Sequence, residues 1–181
     1  MSGLKRMLRD RRGEGALYAV IAVLAVMMLA TVIWEYARLY IIAGGVRDAV
    51  QGSIISVATT NYDEVYNGLR EGYSGGYALY GVSWDQALDA GDVYGQLDKT
   101  LNLSRQGGRH VKFAGGTLEY ALWGLDVEIV NAPFAPPNPD SAGKFLAKAT
   151  IELEAPLSFG WGFLPPMRVT LHVKAGYTPK F

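Results

Sequence analysis

Cysteine is absent from the 181 residues, which removes disulfides and thiolate chemistry together. An exported domain of this composition must hold itself by packing alone, or by packing on copies of itself. Histidine is almost absent: His110 and His172 are the two copies, and neither lies in a metal-ligand spacing such as H-E-x-x-H. Charge of either sign is not in excess, since 17 basic residues balance 17 acidic ones. The balance is uneven along the chain. Residues 1–14 hold Lys5, Arg6, Arg9, Arg11 and Arg12 against Asp10 and Glu14, leaving twelve basic and fifteen acidic residues beyond them. That slight acidity argues against nucleic acid as a partner.

Nucleophile and phosphate motifs are missing too. No serine sits in a G-x-S-x-G elbow, and Gly72-Tyr73-Ser74-Gly75-Gly76 lacks the downstream Lys-Ser/Thr of a phosphate loop. Asp85, Asp89 and Asp92 follow i, i+4, i+7 and could gather as oxygen ligands for calcium, although a solvated helix face has the same pattern. The expectation is no catalytic residue, no metal, no cofactor and no enzymatic activity.

What is present is a hydrophobic run. Gly15 to Trp34 is twenty residues without a charged side chain, and at about 1.5 Å per residue such a helix crosses the roughly 30 Å of bilayer hydrocarbon. It holds nine Leu, Ile or Val residues, each favouring insertion by about 0.3–0.6 kcal/mol near the helix centre. The basic leader before it stays on the cytoplasmic side, so residues from 35 onward are expected outside, N-in and C-out. Trp34, Tyr36 and Tyr40 fall where the chain leaves the outer leaflet, with Glu35 and Arg38 among them, and Tyr18 near the inner one. A cleaved signal peptide is the rival reading, but its apolar region is shorter, about 7–15 residues, and is followed by a small-x-small site. Helix-compatible residues instead run straight on from Trp34 to Gly44-Gly45. Gly15, Ala16, Ala19, Ala22 and Ala25 recur three or four apart, and Gly15, Ala19 and Ala22 are candidates for a helix-packing face. Alanine is also common in any span.

Beyond the span, Leu39, Val46, Val50, Ile54 and Val57 repeat at helical intervals, so a stalk is expected to about Thr60, with a bend or a frayed turn at Gly44, Gly45 and Gly52. Residues 61–82 mix Gly and Tyr and read as irregular surface chain. Ser83 and Gln86 have capping-box spacing, which predicts a broken helix over 83–103. From residue 109 the period becomes two. His110 to Phe113 and Thr117 to Val130 are joined by Ala114-Gly115-Gly116, a hairpin signal. In the longer strand Leu118, Tyr120 and Leu122 are even-numbered, whereas Leu125, Val127 and Ile129 are odd, so a bulge is expected at Trp123-Gly124. Phe145 to Ala155 and Met167 to Ala175 alternate without a break. One-sided strands of this kind make an antiparallel sheet covered by helices on one face. Asp126, Glu128, Glu152 and Glu154 on the wet face can neighbour Arg168, His172 and Lys174. Phe159, Trp161 and Phe163, spaced by Gly, either cap the hairpin or form a contact patch for a neighbouring subunit or a membrane surface.

Arg11-Arg12-Gly13, the apolar helix, the segment Glu35-Tyr36-Ala37-Arg38-Leu39-Tyr40 and the passage into an antiparallel sheet together resemble type IV pilins. The closer resemblance is to the TadE-like pseudopilins of the tight-adherence (Tad) class. The residues give an α+β chain with a 1–14 leader, a 15–34 transmembrane helix, a 35–60 stalk and a 61–181 extracytoplasmic α+β domain, and the resemblance implies that this fold is pilin-like. It also implies cutting by a prepilin peptidase between Gly13 and Glu14, and entry into an assembly platform with other pilin-like subunits or copies of itself. A cut there puts Tyr18 fifth in the mature chain, where the family usually has Glu. The expected function is a structural or assembly subunit of a bacterial Tad or type IV pilus, secretion or DNA-transfer apparatus. The alternative is a solitary membrane-anchored binding domain, a sensor or an adhesin. Location is the cell membrane with the bilayer as partner, and a surface filament if the subunit polymerises.

Overall fold

A single α-helix, α1, runs from Glu14 to Glu64 in the computed structural model, which describes residues 14–64, 77–81, 83–86, 88–130, 145–158 and 164–177. The chain divides into two compact units, Met1–Tyr40 and Ile41–Phe181, with the division inside α1. Gly44, Gly45 and Gly52, where the sequence suggests a bend or a frayed turn, are helical, and α1 continues past Thr60. A Cβ at Gly44, Gly45 or Gly52 would meet nothing within 4 Å, so none is there for close approach. The helix tolerates their cost, up to about 1 kcal/mol each, because its inner face is buried in the second unit. Ile42, Val46, Ala49, Val50, Ile54 and Ala58 form that face, spaced three and four apart apart from one adjacent pair.

The next segment corrects the sequence reading. Ser83 does not cap a helix: Ser83–Gln86 is strand β2, paired antiparallel with β1, Tyr77–Tyr80, in the register Tyr80↔Ser83. The turn between them starts at Gly81, whose φ of 67° lies in the left-handed region that glycine enters freely. Helix α2 is Ala90–Leu101, and its N-cap is Asp89, which accepts a 2.9 Å hydrogen bond from the Asp92 amide. A real cap of this kind outcompetes the Ser83/Gln86 spacing because it satisfies an orphan N–H where the buried face begins. Asn102, left-handed at φ 52°, ends α2.

Five strands follow in one antiparallel sheet of order β3-β4-β5-β6-β7: Ser104–Gln106, Arg109–Ala114, Thr117–Ile129, Phe145–Ala155 and Met167–Tyr177. Strand β3 has no counterpart in the sequence reading, although Gly107-Gly108, both at positive φ, is a hairpin signal of the same kind as Gly115-Gly116. The expected bulge is present. Trp123 pairs with Glu152 and Asp126 with Thr150, so Gly124 and Leu125 together oppose Ile151, and Gly124 has φ 63°.

The core lies between this sheet and the two helices. All six odd-numbered residues of β6 from Phe145 to Ala155 are buried, and Val173 and Ala175 extend that face into β7. From α2 come Val93 and Leu97, and Leu88 precedes it. Each fully buried side chain of this size is worth about 1.5–3 kcal/mol. The fold is therefore α+β, a long N-terminal helix packed on an antiparallel sheet.

Candidate functional site

Three features can carry a function, and the first is the exposed part of α1. Every residue from Gly15 to Trp34 is exposed, although the stretch is apolar throughout, and α1 is long and apolar enough to cross a membrane. A soluble helix buries its apolar stripe, and a helix apolar all round and exposed in this way is compatible with a membrane anchor. Gly15, Ala19 and Ala22 are exposed with the rest, and a Cβ on Gly15 would meet nothing within 4 Å. Trp34, Tyr36 and Tyr40 are exposed, at 75%, 71% and 71%. Glu35 is the opposite case, 3% exposed, with its Oε1 accepting from the Arg38 guanidinium at 2.7 Å. A carboxylate so close to the apolar run is neutralised by a cation one helical turn away, as burial of charge demands. Gly13 and the aromatic trio Phe159, Trp161 and Phe163 lie outside the described residues, and Glu14 is the first residue of α1.

The second feature is the face of the sheet that carries Glu152, Glu154 and Arg168. Glu154 accepts from two guanidiniums, Arg168 Nε at 2.6 Å and Arg109 at 3.2 Å, and Arg109 also lies 4.3 Å above the Trp123 ring. Thr170 donates to Glu152 at 2.7 Å. Of the expected opposite-charge pairs, Glu154 with Arg168 is directly opposed in the register. His172 sits on this face and is exposed, opposite Thr150, while Lys174 opposes Lys148 rather than a carboxylate. Asp126, Glu128, Lys148, Thr150, His172 and Lys174 rim a shallow depression of about 250 Å³. Its mixed charge is a surface for polar contact. Among the described residues no three His, Asp or Glu side chains converge as metal ligands. Asp85, Asp89 and Asp92 do not share a helix face, since Asp85 is in β2 and Asp89 is spent on capping.

The third feature is a polar cluster under α2. His110 is buried, its Nδ1 is 2.5 Å from Asp98 Oδ1, and its ring is stacked on Tyr94. The other Asp98 oxygen accepts from Arg105 Nε at 3.0 Å, while Lys112 donates to the Leu101 carbonyl at 2.6 Å. Tyr94 accepts a 2.9 Å hydrogen bond from the Leu125 amide, inside the bulge. Burial pushes the Tyr94 hydroxyl above the ordinary phenol range, opposed by the Leu125 bond and reinforced by the Asp98 charge. The sequence points to no role for His110 beyond strand membership. Its even position, shared with inward-facing Leu122, was the available signal.

Comparison with protein-family models, with curated proteins and with solved structures gives no match to this chain.

Proposed function

We propose that this chain is a pilin-like structural or assembly subunit of a bacterial Tad or type IV pilus, secretion or DNA-transfer apparatus, anchored N-in by α1. The observation that carries the reading is the helix itself: an uncovered apolar stretch, Gly15 to Trp34, continues without a break into the helix face that builds the domain core. In this reading the basic leader stays cytoplasmic, Gly13 and Glu14 flank the processing site, and Gly15, Ala19 and Ala22 admit a neighbouring helix. Trp34, Tyr36 and Tyr40 sit at the headgroup level, and the partners are the bilayer, other pilin-like subunits, a prepilin peptidase and an assembly platform.

Terminal sequencing of the mature protein tests processing: a chain beginning at Glu14 agrees with prepilin handling, and an intact Met1 opposes it. Assembly is tested by Ala19→Phe with Ala22→Phe. A polymerising subunit loses its place in the sheared surface fraction while remaining in the membrane, whereas unchanged recovery of the variant would sink the proposal.

A further inference from the structure

The edge of the sheet at β7 is eleven residues long, and among the described residues no strand pairs with its far side. Its register with β6 is continuous from Phe145↔Tyr177 to Ala155↔Met167, without a bulge. In such a ladder alternate residues turn both N–H and C=O toward the neighbour, and those between turn theirs away. Arg47 of α1 donates to the His172 carbonyl at 3.1 Å, so His172 belongs to the outward set. Arg168 and Thr170 share its parity and point their backbone groups outward as well. Among the described residues Arg47 thus covers one position of the edge and leaves the stretch around residues 167–171 open.

The side chains around that opening have a definite chemistry. On the outer face β7 carries Arg168, Thr170, His172 and Lys174, with no acid of its own, and the Arg168 side chain, although paired with Glu154 of β6, is 64% exposed. On the inner face Val173 and Ala175 are buried, but Met167, Val169 and Leu171 are only half-buried. An added strand would therefore meet basic side chains on one side and half-buried aliphatic side chains on the other. A second copy of this chain is the poorer occupant. Self-pairing of β7 centred on Thr170 sets Arg168 against His172, and β3, the other edge, is three residues long and centred on Arg105. Guarding an edge with basic residues is how sheets refuse their own kind. The same guard accepts a strand of opposite sign.

We propose that the open edge of β7 over residues 167–171 is a strand-addition site for an extended acidic segment of a different protein, alternating carboxylate and aliphatic side chains. Main-chain hydrogen bonds to Arg168 and Thr170 hold the segment, its carboxylates face Arg168 and His172, and its aliphatic residues cover Val169 and Leu171. Nothing in this depends on whether the chain polymerises.

The test uses the full-length protein in nanodiscs of zwitterionic lipid and a labelled, end-blocked pentapeptide of alternating Glu and Val, with alternating Lys and Val as control. Anisotropy is expected to show saturable binding of the acidic peptide, at least about threefold tighter than the basic one, as cross-strand charge pairs imply. Hydrogen exchange at the Arg168 and Thr170 amides is expected to slow on binding, while the Val169 and Leu171 amides, already bonded to β6, stay unchanged. Thr170→Pro removes an outward donor and spares the ladder to β6, so a folded variant should bind about fivefold or more weakly. Arg168→Gln supplies a second variant, expected to weaken binding about two- to fivefold. The proposal is overturned by equal binding of the two peptides, by protection elsewhere in the sheet, or by wild-type affinity in both variants. It is equally overturned by no saturable binding at millimolar peptide, or by β7 amides already protected through self-association.

Discussion

The imidazole of His110 lies flat on the phenol of Tyr94, with centroids 3.9 Å apart and planes 1° from parallel. This contact fastens α2 to the sheet at the bulge, because the same Tyr94 accepts the Leu125 amide hydrogen bond. Tyr94→Phe keeps the stack and leaves that amide unsatisfied, which is expected to cost about 1–2 kcal/mol of stability. His110→Ala removes the stack and one of the two partners of Asp98, and is expected to cost more, about 2–3 kcal/mol. Urea midpoints of both variants and of the double variant check this. A coupling near zero would mean that the two rings do not act together.

The bulge offers a backbone test. Gly124 has φ 63°, and a Cβ there would lie 3.6 Å from Glu152 Cγ, an ordinary contact. Gly124→Ala should thus cost about 1–2 kcal/mol from the left-handed conformation alone, with no steric part. If the loss is real but the bulge survives, amide exchange at Leu125 stays slow. If the strand instead shifts register, every side chain of β5 beyond Gly124 changes face and the variant fails to fold.

The bulge was also the most legible element of the sheet. Leu122 and Leu125 cannot share a face of a regular strand, so the parity change alone locates it. The same holds for β6, whose odd residues are all buried, and for the uncovered Gly15 to Trp34 helix. Legibility ended where two local signals compete. Ser83 and Gln86 spell a capping box, yet Gly81 makes a turn that pairs residues 83–86 with 77–80, and pairing is a non-local gain that spacing does not reveal. The cluster under α2 was hidden for a similar reason: Tyr94, Asp98, Arg105 and His110 meet only once the helix and two strands have docked. Edge status of β7 is likewise a property of sheet order.

Ser53 presents a buried hydroxyl with no hydrogen-bond partner among the described residues, on the inner face of α1 between Val50 and Ile54. Ser53→Ala removes an unsatisfied group and adds a better helix former, and is expected to stabilise the domain by about 1 kcal/mol or more. Thermal midpoints of the two proteins in the same detergent check the sign. A lowered midpoint would mean that the hydroxyl is in fact satisfied.

Alkaline stability depends on Tyr120, which is 6% exposed and whose hydroxyl is pushed up to about 12, first by burial and then by the neighbouring Glu119 charge. In the unfolded chain the phenol returns to about 10. The folded protein therefore holds this proton more tightly than the unfolded one does. The resulting stability is fully present below pH ~10 and is lost as pH rises from ~10 to ~12, where only the unfolded form readily ionises. The loss should amount to about 1–2 kcal/mol across that window. Tyr94 shifts in the same direction, so it adds to the loss at alkaline pH. Urea midpoints at pH 9 and pH 11.5 should consequently fall further in the wild type than in Tyr120→Phe. The Tyr94→Phe, Tyr120→Phe double variant should show the smallest fall of the three, because it has no phenol left at either position to ionise on unfolding.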